Sequence, residues 1–280
     1  MALYFITQAG RGYVADDHAL IADLAKLGAA PIERPWTESL EGITAADTLV
    51  IRAIWDYHLR PQEFVTWLDA VQRIGCRLIN SEKLIRWNHH KTYLQELAHE
   101  GVPTPETFFF RSATDFATNA PRLTHTEYVL KPVISASAHR TARVPAKDVA
   151  NAAREFAETE FMVQEFLPEI ADGEWSLVFI GGEYMHAVKK VPARGEFRSQ
   201  RDFGAQQHAD DPPSGAIDQG KRVLHMLPDQ AAYARIDFVM RGDESLLIEL
   251  ELIEPELFLG THAPAARQFA AIIAQNLNNS

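Results

Sequence analysis

From residue 233 to 252 the chain holds two apolar runs, Tyr233 to Met240 and Ser245 to Leu252. Their charges fall at every second position: Arg235 and Asp237 on the first run, Glu249 and Glu251 on the second. In a strand, alternate side chains take opposite faces, so the members of each pair share a face. A three-residue turn, Gly242 to Glu244, makes the two runs an antiparallel hairpin and sets Asp237 opposite Glu249 and Arg235 opposite Glu251. Three carboxylates then converge beside one guanidinium. Like charges this close raise one another's pKa unless a cation intervenes, and hard oxygen donors suit Mg²⁺. A solvated strand face would carry the same alternation, so the rest of the chain has to decide between a metal site and a wet surface.

Upstream, short β-rich runs (Leu3 to Thr7, Thr48 to Arg52, Arg77 to Ile79) alternate with amphipathic stretches (Asp16 to Leu27, Pro61 to Ile74). That alternation predicts a small α/β layer with parallel strands. Asn88 to Glu100 reads as a helix stopped by Gly101, and Val102-Pro103-Thr104-Pro105 forces extended chain, a hinge between lobes. Two strands follow, Tyr128 to Val133 and Phe161 to Phe166, around a helix from Lys147 to Glu158. Next comes a hairpin turning at Gly181-Gly182, then the acidic hairpin and a closing helix from Ala263 to Leu277. The fold class is α/β with α+β lobes, and the division expected is 1–87, 88–172 and 173–280.

Composition narrows the partners. A formal net charge of -11 on 280 residues gives no broad positive field, which disfavours nucleic acid and anionic membrane surfaces. Any phosphate binding must be local. No apolar run approaches the roughly 20 residues of a membrane span, and the first residues lack a cationic start, so a cytoplasmic protein is expected. The single cysteine, Cys76, has no partner for an internal disulfide and reads as structural.

Local basic features stand out against that acidity. Lys131 ends the apolar strand Tyr-Val-Leu-Lys-Pro, and the small-residue loop Ser135 to Thr141, with Ser137 at its centre, follows it. Small side chains let backbone N–H groups approach an anion, and a lysine beside them meets phosphate as a point charge. Lys189 to Arg201 carries five cations and one acid, a grouping able to clamp charge developing on a transferred phosphate. Gln164, Glu165, Phe166 and Leu167 form an apolar strand end running into a connector, with Glu174 shortly after. Such a connector offers polar groups to an adenine edge and a carboxylate to a ribose. Beyond the strand ending at Ile51, Arg52, Trp55, Asp56, Tyr57 and His58 occupy the end of an α/β layer where ligands bind. A packed tryptophan in a capped loop is the structural alternative there. His89 and His90 are adjacent and diverge on a helix, so surface or capping roles are expected. His139 in the small-residue loop 135–141 is a further phosphate candidate, and Glu254 and Glu256 either extend the acidic site or are solvated, the solvated reading being favoured for Glu256.

Taken in order, these pieces resemble the ATP-grasp superfamily, which includes glutathione synthetases, ribosomal-protein glutamate ligases and D-alanine:D-alanine ligases. The resemblance implies an ATP-grasp fold in which an N-terminal layer and two α+β lobes clasp ATP. By matching motif, Lys91 in Asn-His-His-Lys-Thr-Tyr-Leu and Lys131 become the phosphate lysines. Gln164, Phe166 and Leu167 line the adenine, and Glu174 holds the ribose. Lys190 and Arg198 contact phosphate, and Asp237, Glu249 and Glu251 bind two Mg²⁺ ions, with Mn²⁺ a substitute. Arg235 steadies the acyl-phosphate or its tetrahedral successor. Arg52-Ala-Ile-Trp-Asp-Tyr-His58, Arg86-Trp-Asn-His-His-Lys91 and Glu249-Leu-Glu-Leu-Ile-Glu-Pro-Glu256 resemble a bacterial subgroup that includes the O-ureido-serine cyclo-ligase of cycloserine biosynthesis. Two features depart from the wider family. Glu251 stands where many members have Asn, which adds negative charge at the metals, and the loop after Lys131 lacks glycine, which stiffens a lid.

The implied activity is that of an ADP-forming carboxylate-amine ligase acting through an acyl-phosphate on a small amino-acid-like substrate, with intramolecular cyclisation as one form. A nucleotide sensor without ligase chemistry, or a kinase that stops at phosphorylation, are the alternatives. Monomer and homodimer both fit the sequence.

Overall fold

The first eighty residues form the parallel layer that their alternating periodicity predicts. In the computed structural model, which describes residues 1–278, this layer contains β1 (Leu3–Thr7), α1 (Asp17–Lys26), β2 (Pro31–Pro35), β3 (Thr48–Ala53), α2 (Pro61–Ile74) and β4 (Arg77–Ile79). The strand order is β2-β1-β3-β4 with every pairing parallel. All six residues of β3 are buried because both faces of the sheet are covered. Leu3, Phe5, Val50 and Ile79 face α1 and the chain's last helix, while Ile6, Leu49 and Ile51 face Phe64, Trp67, Leu68 and Val71 of α2. Helix α2 opens on Pro61 and closes on Gly75 in the left-handed region (φ 75°), the residue pair that suits its two ends.

The helix expected over Asn88 to Glu100 is divided. Helix α3 spans Glu82–Asn88 and α4 spans Tyr93–His99. The turn between them exists because its residues are bonded elsewhere: the Asn88 amide reaches residues 250 and 252, and the Lys91 N–H donates to Val133 O at 2.9 Å.

A second sheet follows: β5 (Thr107–Phe110), α5 (Ala113–Asn119), β6 (Glu127–Pro132), β7 (Ala142–Pro145), α6 (Val149–Ala152) and β8 (Phe161–Glu165). Its order is β5-β8-β6-β7, antiparallel throughout. The helix expected from Lys147 to Glu158 is broken into a single short α-helical turn flanked by 3₁₀ turns at 146–148 and 153–156.

The third sheet contains β9 (Glu174–Ile180), β10 (Glu183–Val191), β11 (Gln206–Ala209), β12 (Tyr233–Arg241) and β13 (Glu244–Glu251), with α7 (Ala216–His225) on one face and α8 (Ala263–Asn278) on the other. Its order is β11-β10-β9-β12-β13. Leu177, Phe179, Ile236 and Phe238 pack under α4 and α7, so α4 rests on this third sheet. A Cβ on Gly220 of α7 would lie 2.6 Å from the Phe179 ring, so glycine permits that approach. Val178, Ile180, Val188 and Tyr233 face α8, which also meets β1 and β3 and so joins the first and third sheets through one core.

The acidic hairpin has the expected register by a different route. The turn is the two residues Gly242 and Asp243, with Arg241 opposite Glu244, and a bulge leaves Ile248 unpaired. Beyond the bulge, Asp237 pairs with Glu249 and Arg235 with Glu251.

Candidate active site

One cleft of about 660 Å³ lies between the three sheets, lined by side chains from each. Glu249 and Glu251 line it and Asp237 lies buried beside them, and one oxygen from each of the three falls within 4.8 Å of the others. The hairpin aims them, and its outer edge is braced from behind. Asn88 Nδ2 donates to Leu250 O at 2.8 Å, Asn88 Oδ1 accepts from Leu252 N at 2.9 Å, and Tyr93 Oη accepts from Leu250 N at 3.0 Å. Helices α3 and α4 thus satisfy the backbone groups that β13 would otherwise leave unpaired at the sheet edge.

Each of these carboxylates meets a cation. Lys91 Nζ lies 2.8 Å from Glu249 Oε1 and donates to Ser135 O at 3.0 Å. Arg235 contacts Asp237 at 2.9 Å and also Glu251, while Ser176 Oγ donates to Asp237 at 2.6 Å. Lys190 bridges Glu174 and Asp237. Against the cost of burial, Arg235 and Lys190 hold the Asp237 carboxyl below its ordinary value. Burial, opposed by Arg235 but aided by Glu249 and Asp237, pushes Glu251 up to about 7. Carboxylates that suppress one another's ionisation at this spacing, all with hard oxygen donors, suit a divalent ion such as Mg²⁺.

Lys131 differs from Lys91 and Lys190. It forms no ion pair among the described residues, and burial lowers its pKa. The loop beyond it, which lacks glycine, nevertheless enters the left-handed region at Ser137 (φ 52°), Ala138 (φ 54°) and Arg140 (φ 51°). Two consecutive left-handed residues make a tight turn, closed by His139 N–H on Ala136 O at 3.0 Å, in which small side chains leave the backbone open to an approaching anion. Ser137 lines the cleft, whereas His139 does not and packs 5.0 Å from the His58 ring.

Phe166, Leu167, Ile170, Val239 and Leu246, with Val129, Phe197 and Ile248, make one apolar compartment of the cleft, and the Arg143 guanidinium covers Phe166 at 3.8 Å. Gln164 Nε2 donates to Thr107 Oγ1 at 3.0 Å, and Glu165 is held by Arg241 at 2.6 Å. Arg198 lines the cleft but is gripped by Glu196 at 2.6 Å and lies 3.6 Å over Phe203, and its hydrogen bonds lower Glu196 to about 2.

The far end is built from the first sheet. Arg52 is buried against Asp17 at 2.6 Å and Asp16 at 3.4 Å, and Asp16 also accepts the N–H groups of Leu257 and Leu259. Its guanidinium therefore ties the layer to the 257–259 loop, and Nη1 alone of its nitrogens has no partner among the described residues. Trp55 and Tyr57 line the cleft. Asp56 does not: its carboxylate is taken by Trp36 Nε1 at 2.8 Å and Arg60 at 2.5 Å. The Asp56 oxygens thus serve the loop itself. Glu254 is buried in the cleft wall, while Glu256, expected to be solvated, pairs with Arg201 at 3.4 Å. His90 pairs with Glu160 at 2.8 Å and the His89 ring contacts Arg86 O at 3.0 Å, the peripheral roles expected of them.

Several lining residues carried no readable signal. Asn88 and Tyr93 act through backbone groups 157 to 164 residues away. Arg11, whose guanidinium lies 4.1 Å over the Trp55 ring, sits in a glycine-flanked loop with no motif. Val129, Val239 and Ile248 read only as strand positions.

Comparison with known proteins agrees with the ATP-grasp resemblance. The family described as prokaryotic glutathione synthetase, ATP-grasp domain, matches residues 102–228, and the family described as D-cycloserine synthetase DcsG, N-terminal domain, matches residues 3–80. The cycloserine biosynthesis protein DcsG of Streptomyces lavendulae is 29% identical over 268 residues, 86% of this chain and 87% of that one. A glutathione synthetase of Rhodopseudomonas palustris is 31% identical over 143 residues, 49% of this chain and 44% of its own length. Among solved structures, D-cycloserine synthetase DcsG superposes with a TM-score of 0.84 at 23% identity, covering 99% of this chain and 100% of that one. The D-alanine–D-alanine ligase of Bacillus anthracis gives 0.66 at 12% identity, covering 100% and 99%. ATP-grasp ligases in general use ATP and Mg²⁺. No helix among the described residues of this chain is long and apolar enough to cross a membrane.

Proposed function

We propose that this ligase activates the carboxylate of a small amino-acid-like substrate as an acyl-phosphate and joins it to an amine, with a nucleophile in the same molecule as the favoured case. The observation that carries the reading is the placement of the Asp237–Glu249–Glu251 cluster in one cleft with Lys91, Lys131, Lys190 and Arg235. Likeness to a cycloserine biosynthesis protein over most of both chains supports the cyclising form. The working units are 1–87, 88–172 and 173–280 along the chain, although α4 packs with the third.

In this reading the apolar compartment around Phe166 and Leu167 takes the adenine, with Gln164 and Glu165 at its edge. Glu174 takes the ribose once Lys190 turns to phosphate. Lys91, Lys131, Arg198 and the N–H groups around Ser137 offset phosphate charge. Asp237, Glu249 and Glu251 hold Mg²⁺, which supplies charge neutralisation at the phosphate oxygens. A substrate carboxylate oxygen bonds to the γ-phosphorus as ADP departs. The amine then bonds to the acyl carbon, the phosphate leaves and the amine loses a proton, while Arg235 steadies the oxyanion. Closure of the 135–141 loop excludes the water that would hydrolyse the acyl-phosphate. Trp55 and Tyr57, with Arg52 in the same lining, form the substrate end.

The test is a product analysis of a screen of amino acids and their analogues, singly and in pairs. ADP and phosphate released with one compound alone support cyclisation, and release only with pairs supports intermolecular ligation. AMP and pyrophosphate would contradict the proposal.

A further inference from the structure

The buried carboxylates of the cleft are each matched by a cation, with one exception among the described residues. Glu174, Asp237, Glu249 and Glu251 each face a lysine or arginine, and the other buried carboxylates of the lining, Asp16 and Glu165, are likewise paired. Glu254 is 7% exposed, lines the same cleft and has no cationic partner among the described residues. Taking a carboxylate out of water without a counter-charge is costly, so burial, with Glu251 beside it, pushes the Glu254 carboxyl well above the usual range, and a cationic ligand group placed against it would remove that cost.

The loop that carries Glu254 is tied down. Its carbonyl accepts the Trp55 Nε1 proton at 3.1 Å, and the preceding carbonyl, Ile253 O, accepts from Tyr233 Oη at 2.8 Å. Glu254 also lies outside the donor cluster compact enough for one ion, which is Asp237, Glu249 and Glu251. The missing charge is therefore not that of the ion held by the cluster.

We propose that Glu254 binds a protonated amino group of the substrate distinct from the amine that attacks the acyl carbon, so that this ligase selects carboxylic acids that also carry such an amino group. The proposal rests on the ligase reading of the same cleft. Trp55 is a positioning residue here, holding the Glu254 backbone on one edge and the Arg11 guanidinium on its face.

The experiment compares wild type with Glu254→Gln and Glu254→Asp in the phosphate-release assay. Each amino acid active on wild type is assayed beside its des-amino analogue, which lacks that amino group alone, and ATP–Mg²⁺ affinity is measured separately by equilibrium binding. The expected result is a KM for the amino acid raised about tenfold or more in Glu254→Gln, less in Glu254→Asp, with nucleotide affinity within about twofold. The des-amino analogue is the poorer substrate on wild type and is indifferent to the substitution. An unchanged KM, or des-amino acids that match their parents, overturns the inference and leaves the ligase intact. Loss of ATP–Mg²⁺ affinity with KM preserved overturns it by assigning Glu254 to the metal. If no compound drives phosphate release from wild type, the carboxylate-amine reading falls and the inference with it. Should Glu254→Gln fail to fold, Glu254→Asp carries the same comparison.

Discussion

Lys91 Nζ lies 2.8 Å from Glu249 Oε1, so a side chain assigned to phosphate and one assigned to the metal neutralise each other across the cleft floor. Lys190 does the same between Glu174 and Asp237. The site holds its charges as internal pairs, which in the proposed reaction nucleotide and its ion would exchange for external partners.

Glu249→Gln tests that exchange. The amide keeps the shape but loses the charge that faces both Lys91 and the ion, so kcat is expected to fall by about 100-fold or more, the scale on which one charge-stabilising group is felt. Nucleotide affinity falls far less, because the adenine compartment and Lys131 are untouched. Phosphate release and equilibrium ATP binding, measured side by side, check the split.

Asn88→Ala removes the brace behind β13. It leaves Leu250 O and Leu252 N buried without partners, at about 1–3 kcal/mol each. Urea unfolding is expected to show a loss of about 2–5 kcal/mol, with a drop in kcat beyond that caused by unfolding because Glu249 and Glu251 lose their aim.

Burial pushes His58 and His186 down to about 4. Each is neutral in the fold at a pH where the unfolded chain, with the ordinary value near 6.5, already binds a proton. Their contribution is present above about pH 6.5 and is lost as the pH falls toward 4. Urea midpoints measured from pH 7 to pH 4 should decline, and His186→Gln should flatten that decline relative to wild type.

Ala138→Gly relieves a left-handed alanine, a conformation that costs about 1 kcal/mol in a residue with a Cβ. The variant is expected to match or slightly exceed wild type in thermal stability. Its KM for ATP should rise, because a looser 135–141 loop no longer presents its N–H groups in one arrangement. Melting curves and ATP titrations read the two effects separately.

Much of this was readable from residue order. Period-two charge placed Asp237 opposite Glu249, yet the route was wrong: a turn one residue shorter than expected is compensated by the bulge at Ile248, and no local pattern announces either. The chain order of Lys91, Lys131, Lys190 and the acidic pairs carried the family. The edges were not readable. Strand β2 is bounded by Pro31 and Pro35 and half exposed, and β11 is a polar run, so neither carries the apolar alternation that marks a strand. The break between α3 and α4 was invisible because long-range bonds from Asn88 and Lys91 override helix propensity. The turn of Asp56 toward Trp36 and Arg60 likewise depends on neighbours that only the fold supplies.

The central claim is that Asp237, Glu249 and Glu251 hold a divalent ion against the terminal phosphates of ATP. Anomalous diffraction from crystals grown with Mn²⁺ and a non-hydrolysable ATP analogue tests it most directly. The account predicts a manganese peak bounded by oxygens of those three carboxylates and of the β- and γ-phosphates. A nucleotide bound in the cleft with the three carboxylates still paired only to Lys91, Lys190 and Arg235, and the manganese elsewhere, would contradict it.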